Sequence, residues 1–415
     1  MKYPITPTYL ANCPNSIVDL FTGLEDYIIN AICEQLRATA NPNATTLELI
    51  RQLQRGGLKL SAIESRIKRV LGLSDAELDK ILDQAIEFNN AYYEPVYDKM
   101  GLLFEEAQAE QFAADIEAIR QQTHDAMRNI TQSMGFGMRG MDGGIYISDV
   151  QQTYQNILDK AAVKVMTGTD SYNVAIRDGV REMANSGLVG QWVEYSDENG
   201  VVYHRNRVDV AVRRAVMTGV TQVSSKYTEQ ASEDFETPYR EVSAHSGARD
   251  KGIGWQNHKA WQGKVYSMHS GDKYPSIYTV CGYGEVDGLE GANCRHMHFP
   301  FIEGISERTY TDEELKNIDK PPFTFEGRRY TPYEATQKQR KIETALRAVK
   351  RRLTAFKADG DTDAYNADAV RYMRLNQEYS AFSKAAGLPE QRERANIEGF
   401  GSKEAREAMR AAANQ

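Results

Sequence analysis

The 415-residue chain contains no run of 18 or more apolar residues, so the sequence offers no segment able to cross a membrane as a helix. Its four cysteines, Cys13, Cys33, Cys281 and Cys294, are too few and too scattered for a disulfide framework. Reduced thiols, one of them a candidate ligand, fit better. A surplus of positive charge is also missing. The formal net charge is -8, which argues against a protein whose main task is coating nucleic acid, because neutralising phosphates needs excess Lys and Arg. The opening MKYPITPTYLANCPNS lacks the apolar centre of an export signal, so the chain is expected to stay where it is made. Histidine and tryptophan are scarce, at seven and three residues, and they are far from evenly spread.

Five of the seven histidines (His245, His258, His269, His296, His298) fall between Glu241 and Ile302, with Trp255, Trp261, Cys281 and Cys294. Nine glycines in the same stretch imply tight turns and backbone at positive φ rather than long regular elements. A compact, loop-rich module with short strands is expected there. Trp255, Trp261, Tyr266, Tyr274, Tyr278 and Tyr283 would supply most of its apolar burial, with some left as a contact surface.

The rest of the chain reads as helix. Ile17, Leu20, Phe21, Leu24, Ile28 and Ile32 recur at three and four residue intervals. Asn41-Pro42-Asn43, Gly56-Gly57 and Gly72 act as breaks, and capping boxes at Ser61/Glu64 and Ser74/Glu77 suggest short antiparallel helices up to about residue 100. Another helix covers roughly 104–133, and the glycine- and methionine-rich GFGMRGMDGG (135–144) is expected to be a surface loop or contact arm. Helices over 148–165, 172–184 and 208–233 flank a hairpin at about 191–206, with Asp197-Glu198-Asn199-Gly200 as its turn and His204 as an exposed strand residue. Beyond the module, Thr311 and Thr331 cap two helices. The second carries the stripe Ile342, Leu346, Val349, Leu353, Phe356 and a basic face on which Lys350, Arg351 and Arg352 are candidate contacts to DNA or an acidic surface, against the plainer reading of a solvated face. A turn over 355–362, a helix over 364–385 and a frayed tail after Gly399 complete the chain. The fold class is mainly α with a small α+β, glycine-rich module in the middle third. Its regions are 1–134, 148–240, the module at 241–305, and 306–415.

Three chemistries are open to the module. If Cys294-Arg-His296-Met-His298 is a strand, alternation places Cys294, His296 and His298 on one face, and His245 or His258 could complete a zinc site. The spacing lacks the paired ligands of ordinary structural zinc sites, so histidines hydrogen-bonded within the loops are the competing reading. A Cys–His nucleophile would need an orienting third group that the sequence does not show. A metal-dependent ββα nuclease would need a helix after His298, where Pro300 and Gly304 stand instead, and the module's six acidic and six basic residues balance.

The words Val242-Ser-Ala-His245, Gly247-Ala-Arg249, His258, Trp261-Gln-Gly-Lys-Val-Tyr266, Gly282-Tyr-Gly284, Gly288-Leu289, Gly291 and Asn293-Cys-Arg-His296 before Pro300 resemble, in order and spacing, the signature of the phage minor capsid protein 2 family. The likeness extends to RRAVMTGVTQ (213–222), to 325–330, 333–337 and 379–387, and is weaker in the N-terminal helices. The family is similar in role to the Mu F-like head morphogenesis proteins, which also end a glycine-rich module in an Asn-Cys-Arg word. The resemblance implies a low-copy structural protein of a tailed-phage head rather than an enzyme, with a metal-dependent nuclease or other hydrolase as the alternative. It implies the virion as its place, at the portal vertex or capsid interior, and the host cytoplasm before assembly. Its implied partners are the portal protein and, beyond it, major capsid or scaffold protein and packaged DNA. His245, Arg249, His258, Trp261, Gln262, Gly263, Asn293, Cys294, Arg295 and His296 are carried over as signature residues without a catalytic role, and His298 and Cys281 are less typical of the pattern. No cofactor is expected, with zinc at Cys294, His296, His245 and His258 as the exception left open.

Overall fold

Apolar spacing places most of the helices where the sequence predicts them. The computed structural model describes residues 3–38, 60–107, 110–139, 145–185, 187–197 and 200–415. Long helices run over Asn15–Ala38, Val150–Met166, Tyr172–Asn185, Val208–Asp234, Pro332–Asp359 and Thr362–Ala386. Ile17, Phe21, Leu24, Ile28 and Ile32 are all fully buried, as their periodicity requires. The protein is mainly helical with a small α+β part, and none of its described helices is long and apolar enough to cross a membrane.

Local stop signals fail where burial overrides them. A single helix, Leu60–Met100, replaces the expected series of short ones. It passes through Gly72 and Ser74 because apolar positions at helical spacing (Ile63, Val70, Leu78, Ile81, Leu82, Ala85) are buried along its length, and Ser74 is itself buried. The breaks at 41–43 and 56–57 lie outside the described residues. The C-terminal segment likewise departs from expectation. Ser402–Ala413 is a helix whose first turn is closed by Glu404 Oε2 accepting from Gly401 N–H at 2.9 Å, and its Ala408 and Ala412 are buried.

Packing divides the chain into two compact units, each drawn from three separated stretches. One unit comprises Asp19–Leu73, Ile130–Ala211 and Lys338–Gln415. It holds a four-stranded antiparallel sheet ordered Ile145–Ser148, Gly135–Arg139, Leu188–Asp197, Gly200–Arg207. The first half of GFGMRGMDGG is thus a strand rather than a surface loop. Strand pairing uses backbone groups that glycine possesses, and Phe136, fully buried, anchors the segment. Residues 140–144 lie outside the described residues. The hairpin forms with Asp197 opposite Gly200, while its turn at 198–199 and the side chain of His204 lie outside what is described.

In the same unit the candidate contacts Lys350, Arg351 and Arg352 are engaged within the chain, while Arg340, Lys341 and Lys357 of the same helix are exposed. Arg351 is buried, with Nε donating to Asp26 and Nη2 to Glu25. Arg347 Nη2 donates to Asp209 at 2.6 Å, Arg352 Nε to Asp368 at 2.6 Å, and Lys350 Nζ to the carbonyl of Ala395 at 2.6 Å. The sequence stripe Ile342, Leu346, Val349, Leu353, Phe356 is buried as expected. Because that stripe faces inward, the positions beside it are carried inward too, and the cations there need carboxylates or carbonyls.

Gly179 shows how tightly this unit is packed. A Cβ at this position in the helix Tyr172–Asn185 would stand 2.6 Å from Ile157 Cγ2. Gly179→Ala is therefore expected to lower stability. Overpacking costs roughly 1–3 kcal/mol, against about 1 kcal/mol gained in helix propensity. Urea unfolding checks the sign, and a stabilised variant would show that Ile157 yields without cost.

The other unit comprises Met1–Val18, Ser74–Asn129 and Val212–Gln337. It contains a three-stranded antiparallel sheet ordered Val265–Ser267, Tyr239–Val242, His298–Pro300, and the small hairpin Phe323–Phe325 with Arg328–Tyr330. The helix Val208–Asp234 supports this sheet through Thr228, whose Oγ1 donates to the carbonyl of His298 at 3.0 Å.

Candidate functional site

The signature residues converge on one buried point. The four-residue helix His258–Trp261 puts His258 and Trp261 one turn apart on its inner side, both buried. Their rings are in contact, with centroids 4.6 Å apart. Gly263, at φ +72, turns the chain immediately afterwards, and a Cβ there would lie 2.3 Å from Leu315 Cδ2, so glycine answers both a conformational and a steric demand. Asn293 takes the left-handed conformation at φ 59, which asparagine tolerates better than most residues, and so delivers Cys294 into the interior.

Around Cys294 the geometry is tight. Its Sγ lies 3.6 Å from His258 Nδ1 and 3.5 Å from His296 Nδ1. The backbone N–H of His296 donates to the same sulfur at 3.4 Å, and the carbonyl of His296 stands 3.8 Å away. Each imidazole is held from behind. His258 Nε2 donates to the carbonyl of Asp287 at 2.8 Å, and that carbonyl also accepts from Arg249 Nη1 at 3.1 Å. His296 Nε2 meets Gln262 Oε1 at 3.0 Å. Gln262 Oε1 simultaneously accepts the backbone N–H of His245 at 3.0 Å, which fixes which end of the amide faces His296 and makes Nε2 the donor.

His258, Cys294 and His296 form the group among the described residues able to hold a metal ion. His245, also a candidate from sequence, stands outside it. Its ring stacks on His296 with centroids 4.4 Å apart, and its Nδ1 faces the carbonyl of Ser246 at 2.9 Å and Nη2 of Arg295 at 3.3 Å, serving one at a time. His298 is separate too. The expected strand begins only at His298, because the turn through Asn293 breaks the alternation, and His298 Nδ1 pairs instead with Glu290 Oε1 at 2.7 Å. Glu290 Oε2 accepts from Ser225 Oγ at 2.5 Å, so this second histidine fastens the module to the helix beneath it.

Burial sets the electrostatics. It drives His258 down to about 4, against the Asp287 carbonyl that favours its protonation, and His296 well below the ordinary imidazole value. Burial and then Arg295 push His245 down to about 3. The Cys294 thiol is pushed up to about 11 by burial, partly offset by the His296 N–H. All four cysteines are free thiols.

Sequence reasoning missed several anchors. Asp287 contributes its carbonyl as above, and its carboxylate accepts from Trp255 Nε1 at 3.0 Å and Gln256 Nε2 at 2.7 Å. Asp319 accepts from Gly247 N–H at 2.7 Å and Ser246 Oγ at 3.1 Å and pairs with Lys259 at 2.7 Å. Glu241 accepts from the N–H and hydroxyl of Thr309 at 2.7 and 2.9 Å. The module's polar contacts therefore extend past residue 305, to Asp319 and, through Lys251, to Glu334 at 2.7 Å. Of its aromatics, Trp261 and Tyr266 are core, whereas Trp255 and Tyr278 are more than a third exposed.

The fold is that of a mainly helical protein carrying a closed, histidine-fastened α+β module. The chain belongs to the phage minor capsid protein 2 family, whose pattern matches residues 5–383. It is 27% identical over 218 residues to a structural protein of Lactococcus phage LL-H, covering 51% of this chain and 52% of that protein. It is 34% identical over 101 residues to a structural protein of Lactococcus phage mv4, covering 24% of this chain and 72% of that one. The match thus spans about half the length of the LL-H protein. No solved structure matches the chain significantly.

Proposed function

We propose that the protein is a low-copy, non-enzymatic component of a tailed-phage head, attached to the portal protein and facing the capsid interior, with major capsid or scaffold protein as further neighbours. The observation that carries this reading is the family match over nearly the whole chain, together with relatives described as structural proteins. The geometry agrees with it. Gln262 Oε1 ties His296 to the backbone of His245, and Glu290 ties His298 to Ser225. Exposed Ile253, Trp255, Tyr278 and Val286 give the module apolar side chains to present to another virion protein. Basic residues 350–352 are hydrogen-bonded within the chain.

The test is composition of purified particles. The protein is expected in capsids at a copy number far below that of the major capsid protein, and in complex with portal protein when the two are co-expressed. Particles that lack it, or a portal preparation that never retains it, would remove the assignment.

A further inference from the structure

The hydrogen-bond inventory around Cys294 does not close. Both Nε2 atoms of His258 and His296 are committed as donors, to a carbonyl and to an amide oxygen whose orientation is fixed. In a neutral imidazole the other ring nitrogen, Nδ1, then carries a bare lone pair. Two such lone pairs point at one sulfur, from 3.6 and 3.5 Å. A thiol has a single proton. Wherever it sits, on sulfur, on either Nδ1 or directed to the carbonyl of His296, at least one lone pair faces another lone pair inside a dry interior. A second proton would place net positive charge in a buried cluster that already neighbours Arg249 and Arg295.

The geometry points to a zinc site in which Cys294 Sγ, His258 Nδ1 and His296 Nδ1 are the protein ligands. Zinc–sulfur and zinc–nitrogen bonds of about 2.3 and 2.0–2.1 Å at the tetrahedral angle put sulfur and nitrogen about 3.6 Å apart. The observed separations are 3.5 and 3.6 Å. On binding, the thiol proton leaves to solvent, the thiolate takes its place as ligand, and all three lone pairs acquire one partner. The supporting contacts are those a metal site needs. Each ligating imidazole donates its remote N–H to an oxygen, and a backbone N–H donates to the sulfur. A fourth donor, which the cluster itself does not supply, would complete the tetrahedral shell. The ligands come from two segments, 258 and 294–296, so the ion cross-links the turn after Asn293 to the short helix His258–Trp261. The inference does not depend on where in the virion the protein sits.

The experiment uses the full chain, purified without chelator from cells supplied with zinc. Elemental analysis is expected to give stoichiometric zinc, and exchange into cobalt to give tetrahedral-type visible absorption with a sulfur-to-metal charge-transfer band. Cys294→Ser should lose both. Gln262→Ala, which releases His296 without removing a ligand, should weaken zinc binding roughly 10–100-fold. Wild-type protein that carries no zinc and gives no cobalt spectrum overturns the site, as does full zinc occupancy in Cys294→Ser. If Cys294→Ser fails to fold, the wild-type zinc content and the charge-transfer band decide alone.

Discussion

Arg351→Met should destabilise the protein by about 3–5 kcal/mol, the usual result of removing one partner from a buried ion pair. Glu25 and Asp26 are adjacent on the helix Asn15–Ala38, and both are almost wholly shielded from water. Arg351 answers both with different nitrogens of one guanidinium. Burial alone would favour deprotonating it, but Glu25 and then Asp26 more than offset that and hold it charged. Without it Glu25 retains Arg207, 3.2 Å away, and Asp26 keeps the backbone N–H of Glu398 at 3.1 Å. Neither contact supplies the missing charge at Asp26. Urea unfolding at pH 7 measures the loss. Adding Asp26→Asn to Arg351→Met should recover part of it, because the uncompensated anion is then gone. A loss below about 1 kcal/mol, in the range of exposed pairs, would mean that Arg351 is solvated after all and would reopen its reading as a contact for an acidic surface.

That same arginine marks the limit of what the sequence reveals. Periodicity located the helix Pro332–Asp359 and its buried stripe, because apolar side chains at helical spacing have few other places to go. It could not show that the flanking cations face inward, since Glu25 and Asp26 lie more than 300 residues away in the chain. Gly72 and Ser74 carry the marks of a break, yet the helix runs through them, because long-range burial outweighs costs of about 1 kcal/mol per local misfit. For the module, unusual words in a fixed order identified its fastening residues, and three of the four zinc candidates do meet. The strand alternation that first grouped Cys294 with His296 and His298 was the wrong reason. Asn293 at positive φ breaks it, and His258 takes the place that alternation gave to His298. Asp287 was invisible because its key contribution at the cluster is a backbone carbonyl, which every residue possesses.

The second large effect belongs to Trp261. Its side chain is among the largest fully buried ones and packs with Val242, Tyr266, Ile277, Cys281, Leu289 and Cys294. The ring also touches both imidazoles of the Cys294 cluster, at centroid distances of 4.6 Å to His258 and 4.9 Å to His296. A loop-rich module with three short strands has little else to exclude water from those groups. Trp261→Ala should therefore cost about 3–5 kcal/mol, from lost apolar burial and the cavity left behind. Trp261→Phe separates packing from polarity. It keeps most of the volume but removes the Nε1–H that donates to the carbonyl of Trp255 at 2.8 Å, a loss of about 1 kcal/mol. Thermal unfolding of the two variants should rank Ala well below Phe. Equal losses would assign the tryptophan's importance to its single hydrogen bond, and the module would then be held by the turn at Trp255 rather than by a packed aromatic core.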